Sequence, residues 1–196
     1  MGKRDKTIRK RLESKPRRKW ISMFVTVAII LTVAVLANMA VIFFFSEESM
    51  EESGDRSTGI VMRIIRFLHP DYDELDLVSR LEIMRDVHHT VRKLAHFAEF
   101  GLLGFLLTGL ILFVNRRKHW VKPRMEWFLP TVFCLLYAAS DEIHQIFSNR
   151  GASVKDVLID FAGAVTGILL MRAILGIVRA AKRRRERRTC ETPATD

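Results

Sequence analysis

Apolar residues in this chain gather into long blocks rather than into short alternating stretches, and that spacing points to lipid as the surrounding solvent. Crossing a roughly 30 Å hydrocarbon core takes about 20 mostly apolar residues as helix, because only a helix or a closed barrel satisfies its own backbone hydrogen bonds there. Four blocks meet that length. Trp20 to Phe45 is apolar apart from small polar residues and Asn38. Leu94 to Val114 carries His96 and Glu99 in its first turns. Trp127 to Phe147 carries Asp141, Glu142, His144 and Gln145 in its last two turns, and Val157 to Val178 is interrupted by Asp160 and Arg172. The pattern predicts an all-α integral membrane protein, a four-helix transmembrane bundle with a short amphipathic helical cap on the outer side, of which only the first span is clean by hydropathy.

Between the first two spans the periodicity changes. Ser46 to Gly59 is a polar linker that cannot bury a core. From Ile60 to Leu68 the apolar residues fall at 60, 61, 64, 65 and 68, one face of a short helix suited to the headgroup region, and Pro70 should stop it. Asp71 or Asp73 can cap the next helix. In it Leu77, Leu81, Met84, Val87, Val91 and Leu94 recur at three- or four-residue steps and lead without a break into the second span. The expected divisions are 1–19 as a basic cytoplasmic tail, 20–45 as the first transmembrane helix and 46–93 as an extracellular linker with amphipathic helices. Residues 94–178 hold three further transmembrane helices, and 179–196 form a second basic cytoplasmic tail. Residues 1–19 and 182–196, charged and poor in apolar residues, read as disordered.

Charge adds a direction. The net charge of +10 could suggest a nucleic-acid binder, but the basic residues flank apolar blocks and no recognition module accompanies them. Ten Lys or Arg precede the first span, five lie between the second and third, and seven follow the fourth. The 46–93 segment has seven in 48 residues and opens with Glu47, Glu48, Glu51, Glu52 and Asp55, whereas the 148–156 loop has only Arg150 and Lys155. The positive-inside rule then places both termini in the cytoplasm and the 46–93 and 148–156 segments outside. A signal peptide competes for the first block, with Val35-Leu36-Ala37 as a cleavage site, but the apolar run continues to Phe45 and favours an uncleaved anchor. With two cysteines, one inside a span and one in the tail, neither a disulfide framework nor a thiolate metal site is available.

With this topology three polar groups land at similar depth. Lys93, His96 and Glu99 follow one another at three-residue steps. Asp141, His144 and Gln145 share a helix face, with Glu142 adjacent, and Asp156 and Asp160 lie one turn apart near a helix N-terminus, where the macrodipole favours carboxylates. Ionisable groups facing lipid cost several kcal/mol, so these should face one another, water or a ligand, although packing glue between helices is the blander role. Gly163 and Gly167 form a GxxxG, with Gly101 and Gly104 on the second span, suited to packing within the chain or to a homodimer. Arg172 should snorkel to the inner interface.

The residues Lys93-Leu94-Ala95-His96-Phe97-Ala98-Glu99-Phe100, then Asp141-Glu142-Ile143-His144-Gln145, Arg150, and Lys155-Asp156-Val157-Leu158-Ile159-Asp160 followed by Gly163, resemble the signature of the VanZ-like family over roughly residues 60–175. Phe100 departs from it, since many members have Tyr there, so this protein needs no hydroxyl at that position. The resemblance implies a bacterial cell-envelope role linked to resistance to teicoplanin-type lipoglycopeptides, in the cytoplasmic membrane, without implying a reaction.

Three functions fit these residues. In the first, the chain handles an envelope lipid, undecaprenyl-linked or otherwise anionic, at the outer leaflet. Its ligand-binding set is Lys93, His96, Glu99, Asp141, Glu142, His144, Gln145, Arg150, Lys155, Asp156 and Asp160, with Arg92 on the basic rim. In the second, it is a membrane-embedded enzyme acting on a lipid phosphate or sugar, with His96, Glu99, Asp141, Glu142 and His144 as catalytic candidates. No cofactor is required by the sequence. A divalent metal held by His96, Glu99, Asp141, His144 and Asp160 is the variant of that reading suggested by carboxylate–histidine pairs on facing helices. The third is a component of a proton-coupled transporter, which four spans could serve only as a dimer, and which lacks an inverted repeat.

Overall fold

A computed structural model describes residues 3–47, 59, 61–119, 121–147 and 153–191 of the chain. All regular structure among the described residues is helical. The helices are α1 (Lys3–Glu47), α2 (residues 61–68), α3 (Leu77–Lys118), α4 (Met125–Phe147) and α5 (Val154–Glu191), with a 3-10 turn at Tyr72–Glu74 between α2 and α3. Three segments are long and apolar enough to cross a membrane, Ile21–Ser46, Leu77–Arg117 and Val154–Arg187. They contain the first, second and fourth of the four expected spans. α4 has sufficient length at 23 residues, but the polar residues of its last two turns dilute it, so composition does not mark it as a span.

α3 runs unbroken for 42 residues, as its periodicity predicts. At about 1.5 Å per residue it is roughly 60 Å long, twice the hydrocarbon thickness, so one half lies beyond the lipid core. Its start differs from expectation. Asp71 and Asp73 belong to the approach and the 3-10 turn, and the capping residue is Asp76, whose Oδ2 accepts the N–H groups of Val78 and Ser79 at 3.1 and 3.3 Å. The Ser79 hydroxyl donates to Asp76 Oδ1 at 2.6 Å. These bonds, that from the Ser79 hydroxyl foremost, hold the Asp76 carboxyl below its ordinary value of 3.8. The folded chain therefore binds this proton less readily than the unfolded one. The stabilisation is fully present above the ordinary value and disappears as pH falls through the lowered one. Asp76→Ala is expected to fray the first turn of α3, read as faster amide hydrogen exchange at residues 77–80 with the rest of α3 unchanged.

The other end of α3 is fixed by an asparagine. His119 takes a left-handed conformation, φ 49°, and its N–H returns to the Asn115 carbonyl at 2.9 Å. The Asn115 amide then donates to the Val121 carbonyl at 2.9 Å and to Glu126 Oε1 at 2.6 Å, while Asn115 Oδ1 accepts the Val121 N–H at 2.9 Å. One side chain thus ties α3 to the start of α4.

α2 closes a small satellite core. Val61 and Ile65 are fully buried with Tyr72 against Met62, Leu75, Ile83, Met84, Val87 and Val91. The apolar face expected for 60–68 is therefore only partly inward: Leu68 remains exposed, as does Phe67, and Ile60 lies outside the described residues.

The main core joins Val35 and Ile42 of α1, Phe100 and Leu103 of α3, Cys134 and Ala138 of α4 and Ala164 of α5. Large apolar side chains on the outer faces of α1, α4 and α5, such as Ile30, Leu36, Leu136 and Leu170, are more than half exposed, as lipid-facing residues are. α3 and α5 approach through small residues. A Cβ on Gly101 would stand 3.3 Å from the Gly163 carbonyl oxygen, and one on Gly163, Gly104 or Gly167 would collide with the carbonyl of Phe97, Ala164 or Gly101 respectively. The GxxxG serves packing within the chain.

Two further expectations are corrected. The basic tails are helical rather than disordered over 3–19 and 182–191, since α1 begins at Lys3 and α5 continues to Glu191, while 1–2 and 192–196 lie outside the described residues. Lys, Arg, Glu and Ala are strong helix formers that extend a helix already nucleated in the span, and Lys182 reaches Glu186 at 3.8 Å, one turn on. Arg172 does not snorkel. Its guanidinium carbon lies 3.7 Å from the Trp127 ring centroid, with Nε and Nη2 buried.

Candidate functional site

The site forms where the end of α1, the membrane-entering turns of α3, the end of α4 and the start of α5 meet. α3 and α5 contribute matched rungs. Lys93 Nζ stands 3.0 Å from Asp156 Oδ1, both side chains about one-third exposed at 32% and 35%. One turn deeper, His96 Nδ1 lies 3.9 Å from Asp160 Oδ1, with exposures of only 13% and 3%. The outer rung is wet and the inner rung is dry, so the inner pair interacts through a less screened medium. The residue spacing makes this ladder possible, a step of three on α3 set against a step of four on α5, and the glycine contact sets its register.

α4 and α1 supply the third wall. Asp141, Glu142 and Gln145 are all at most 5% exposed. Asp141 Oδ2 accepts from the Ser46 hydroxyl at 3.0 Å and from the Gln145 amide at 3.0 Å, and Gln145 also donates to Ser46 Oγ at 2.8 Å. This closed triangle fixes the Asp141 carboxylate. Glu142 Oε2 accepts the Ser153 N–H at 2.9 Å and anchors the start of α5, where the Ser153 carbonyl accepts the Asp156 and Val157 amides. Glu99 sits one turn deeper than His96, its Oε2 buried and without a hydrogen-bond donor among the described residues, while its backbone carbonyl accepts from the Asn38 amide at 3.4 Å.

The structure brings Lys93, His96, Glu99, Asp141, Glu142, Gln145, Asp156 and Asp160 together at one end of the bundle. One ligand atom from each of His96, Asp141 and Asp160 lies within 4.8 Å of the others. Arg92 is within electrostatic reach of Asp141 and Glu142. His144 stands beside this trio rather than in it, its ring stacked on Phe43 with centroids 4.6 Å apart. Lys155 is exposed, and Arg150 lies outside the described residues. Sequence reasoning missed Ser46, which reads as the first residue of a linker. The available signal was its register: Val35, Asn38, Ile42 and Ser46 are successive buried positions on one face of α1.

Long apolar helices surrounding a polar, largely buried cluster at one end define a multi-helix membrane protein with its buried ionisable residues gathered at a helix-end junction. A family model described as VanZ/LLP1 matches residues 25–176, most of the chain, and the protein belongs to that family. No curated protein and no solved structure matches the chain.

Proposed function

We propose that this VanZ/LLP1 protein holds the phosphate-bearing headgroup of an envelope lipid at the outer ends of four spans, α4 being the third, in a bacterial cytoplasmic membrane with both termini inside. The observation that carries this reading is the graded ladder between α3 and α5, a one-third-exposed Lys93–Asp156 pair over the more deeply set His96–Asp160 pair. Ionisable groups at such depth face ligands or ions, and a Lys at the rim meets an anionic headgroup at the point where it leaves water. The excess of Lys and Arg in the tails and in the α3–α4 connection supports the orientation. Binding of a lipid-linked precursor would connect the protein to the action of teicoplanin-type lipoglycopeptides.

The test uses the full chain in nanodiscs titrated with undecaprenyl phosphate. Lys93→Ala and Arg92→Ala are each expected to weaken binding roughly tenfold or more, the loss of a charge-assisted contact of about 1.5–3 kcal/mol. Affinity unchanged in both variants would overturn the reading.

A further inference from the structure

We infer that His96, Asp141 and Asp160 form a site for one divalent transition-metal ion, of the Mn2+ or Zn2+ class. The three side chains come from three different helices and present one donor atom each within 4.8 Å of one another. Metal–ligand bonds of about 2.0–2.2 Å set neighbouring donors roughly 3–4 Å apart, so small side-chain rotations complete the arrangement.

The independent observation is Asp160. It is 2% exposed, and the one basic group at ion-pair distance among the described residues, His96 Nδ1 at 3.9 Å, is too far to donate a hydrogen bond. No hydrogen bond to its carboxylate is present among the described residues. Asp160 is also within electrostatic reach of Asp141, Glu142, Asp156 and Glu99, all of the same sign. Buried carboxylates are found paired or coordinating a metal, and among the described residues no Lys or Arg stands at ion-pair distance from Asp160. Lys93 is already engaged with Asp156 on the outer rung. A dication between His96, Asp141 and Asp160 compensates two carboxylates at once, with Glu99 Oε2 one turn below as a further unpartnered oxygen.

The surrounding bonds have the form of a supporting shell. Both hydrogen bonds to Asp141 fall on Oδ2, from Ser46 and Gln145, and leave Oδ1 for coordination. Outer donors of this kind orient a ligating carboxylate. An imidazole with two carboxylates and no thiolate suits Mn2+ or Zn2+ better than Mg2+ or Ca2+, which prefer all-oxygen sets. The site stands on its own donors; a role for the ion in gripping a lipid phosphate oxygen would rest additionally on the lipid reading.

The experiment takes the full chain in lipid-free detergent, strips it with a chelator, and titrates Mn2+ by electron paramagnetic resonance with Zn2+ as competitor. The expected result is one saturable site per chain, weakened at least about tenfold in Asp160→Asn and Asp141→Asn and unchanged in Glu82→Gln, an exposed position on α3. In the wild-type chain Zn2+ raises the melting temperature and chelation reverses the rise, a readout that needs no variant. Absence of saturable binding, equal binding in Asp160→Asn, or a wild-type melting temperature indifferent to Zn2+ overturns the inference. Parallel titration of undecaprenyl phosphate separates the two readings: metal bound without lipid sinks only the lipid reading, and metal-independent lipid binding without saturable metal sinks only this one.

Discussion

Gly167→Ala is expected to cost about 1–3 kcal/mol of stability, and Gly167→Leu to force α3 and α5 apart. A Cβ at 167 would overlap the Gly101 carbonyl oxygen and stand 2.9 Å from the Phe105 backbone nitrogen. Neither obstacle can swing aside, because both are helix backbone. The whole interface has to open, and it is the tightest of the glycine contacts between the two helices. Gly176→Ala is the control, since nothing lies within 4 Å of a Cβ there, and alanine in a helix interior gains roughly 0.5–1 kcal/mol over glycine. Thermal unfolding in detergent reads both. The same register holds His96 against Asp160 two turns away, so Gly167→Leu is also expected to abolish ligand binding at the site. A Gly167→Leu protein that melts like wild type would show that α3 and α5 do not depend on this contact.

That contact also explains what could and could not be read from the chain. Apolar blocks and alternating direction suffice to place Lys93, His96, Glu99, Asp141 and Asp160 at one end of the bundle, because successive antiparallel helices bring their polar turns back to the same end. Which residue meets which is a matter of rotation and register, set by backbone-to-backbone approach at Gly101, Gly104, Gly163 and Gly167. Hydropathy undervalues α4 for a related reason: Asp141, Glu142, His144 and Gln145 lower its score and also build the site. By sequence Asp71 and Asp73 offer the same capping chemistry as Asp76, and the deciding feature is Ser79, three residues after Asp76 and able to bond it. Arg172 looked like a snorkelling residue because Trp127 is remote in sequence, and only the α4–α5 packing sets the ring beneath it.

His96→Leu is expected to destabilise the chelator-treated protein by about 1–3 kcal/mol, the range for a buried polar group that loses its neighbour. The reason lies in asymmetry between the two partners. Asp160 is buried among acidic groups and, among the described residues, has only His96 at ion-pair distance, so removing the imidazole takes away the basic group nearest its carboxyl. Asp160→Leu is expected to cost less, because it also relieves repulsion with Asp141, Glu142, Asp156 and Glu99, and a histidine can remain neutral. The double variant His96→Leu/Asp160→Leu replaces both groups by apolar side chains and should recover most of the loss. The double-mutant cycle, measured by unfolding in detergent with chelator present, then returns a coupling well above the ~0.5 kcal/mol scatter expected for independent sites. Strict additivity would separate the two residues energetically despite their 3.9 Å approach, and would leave the packing of α3 on α5 as what holds this end of the bundle together.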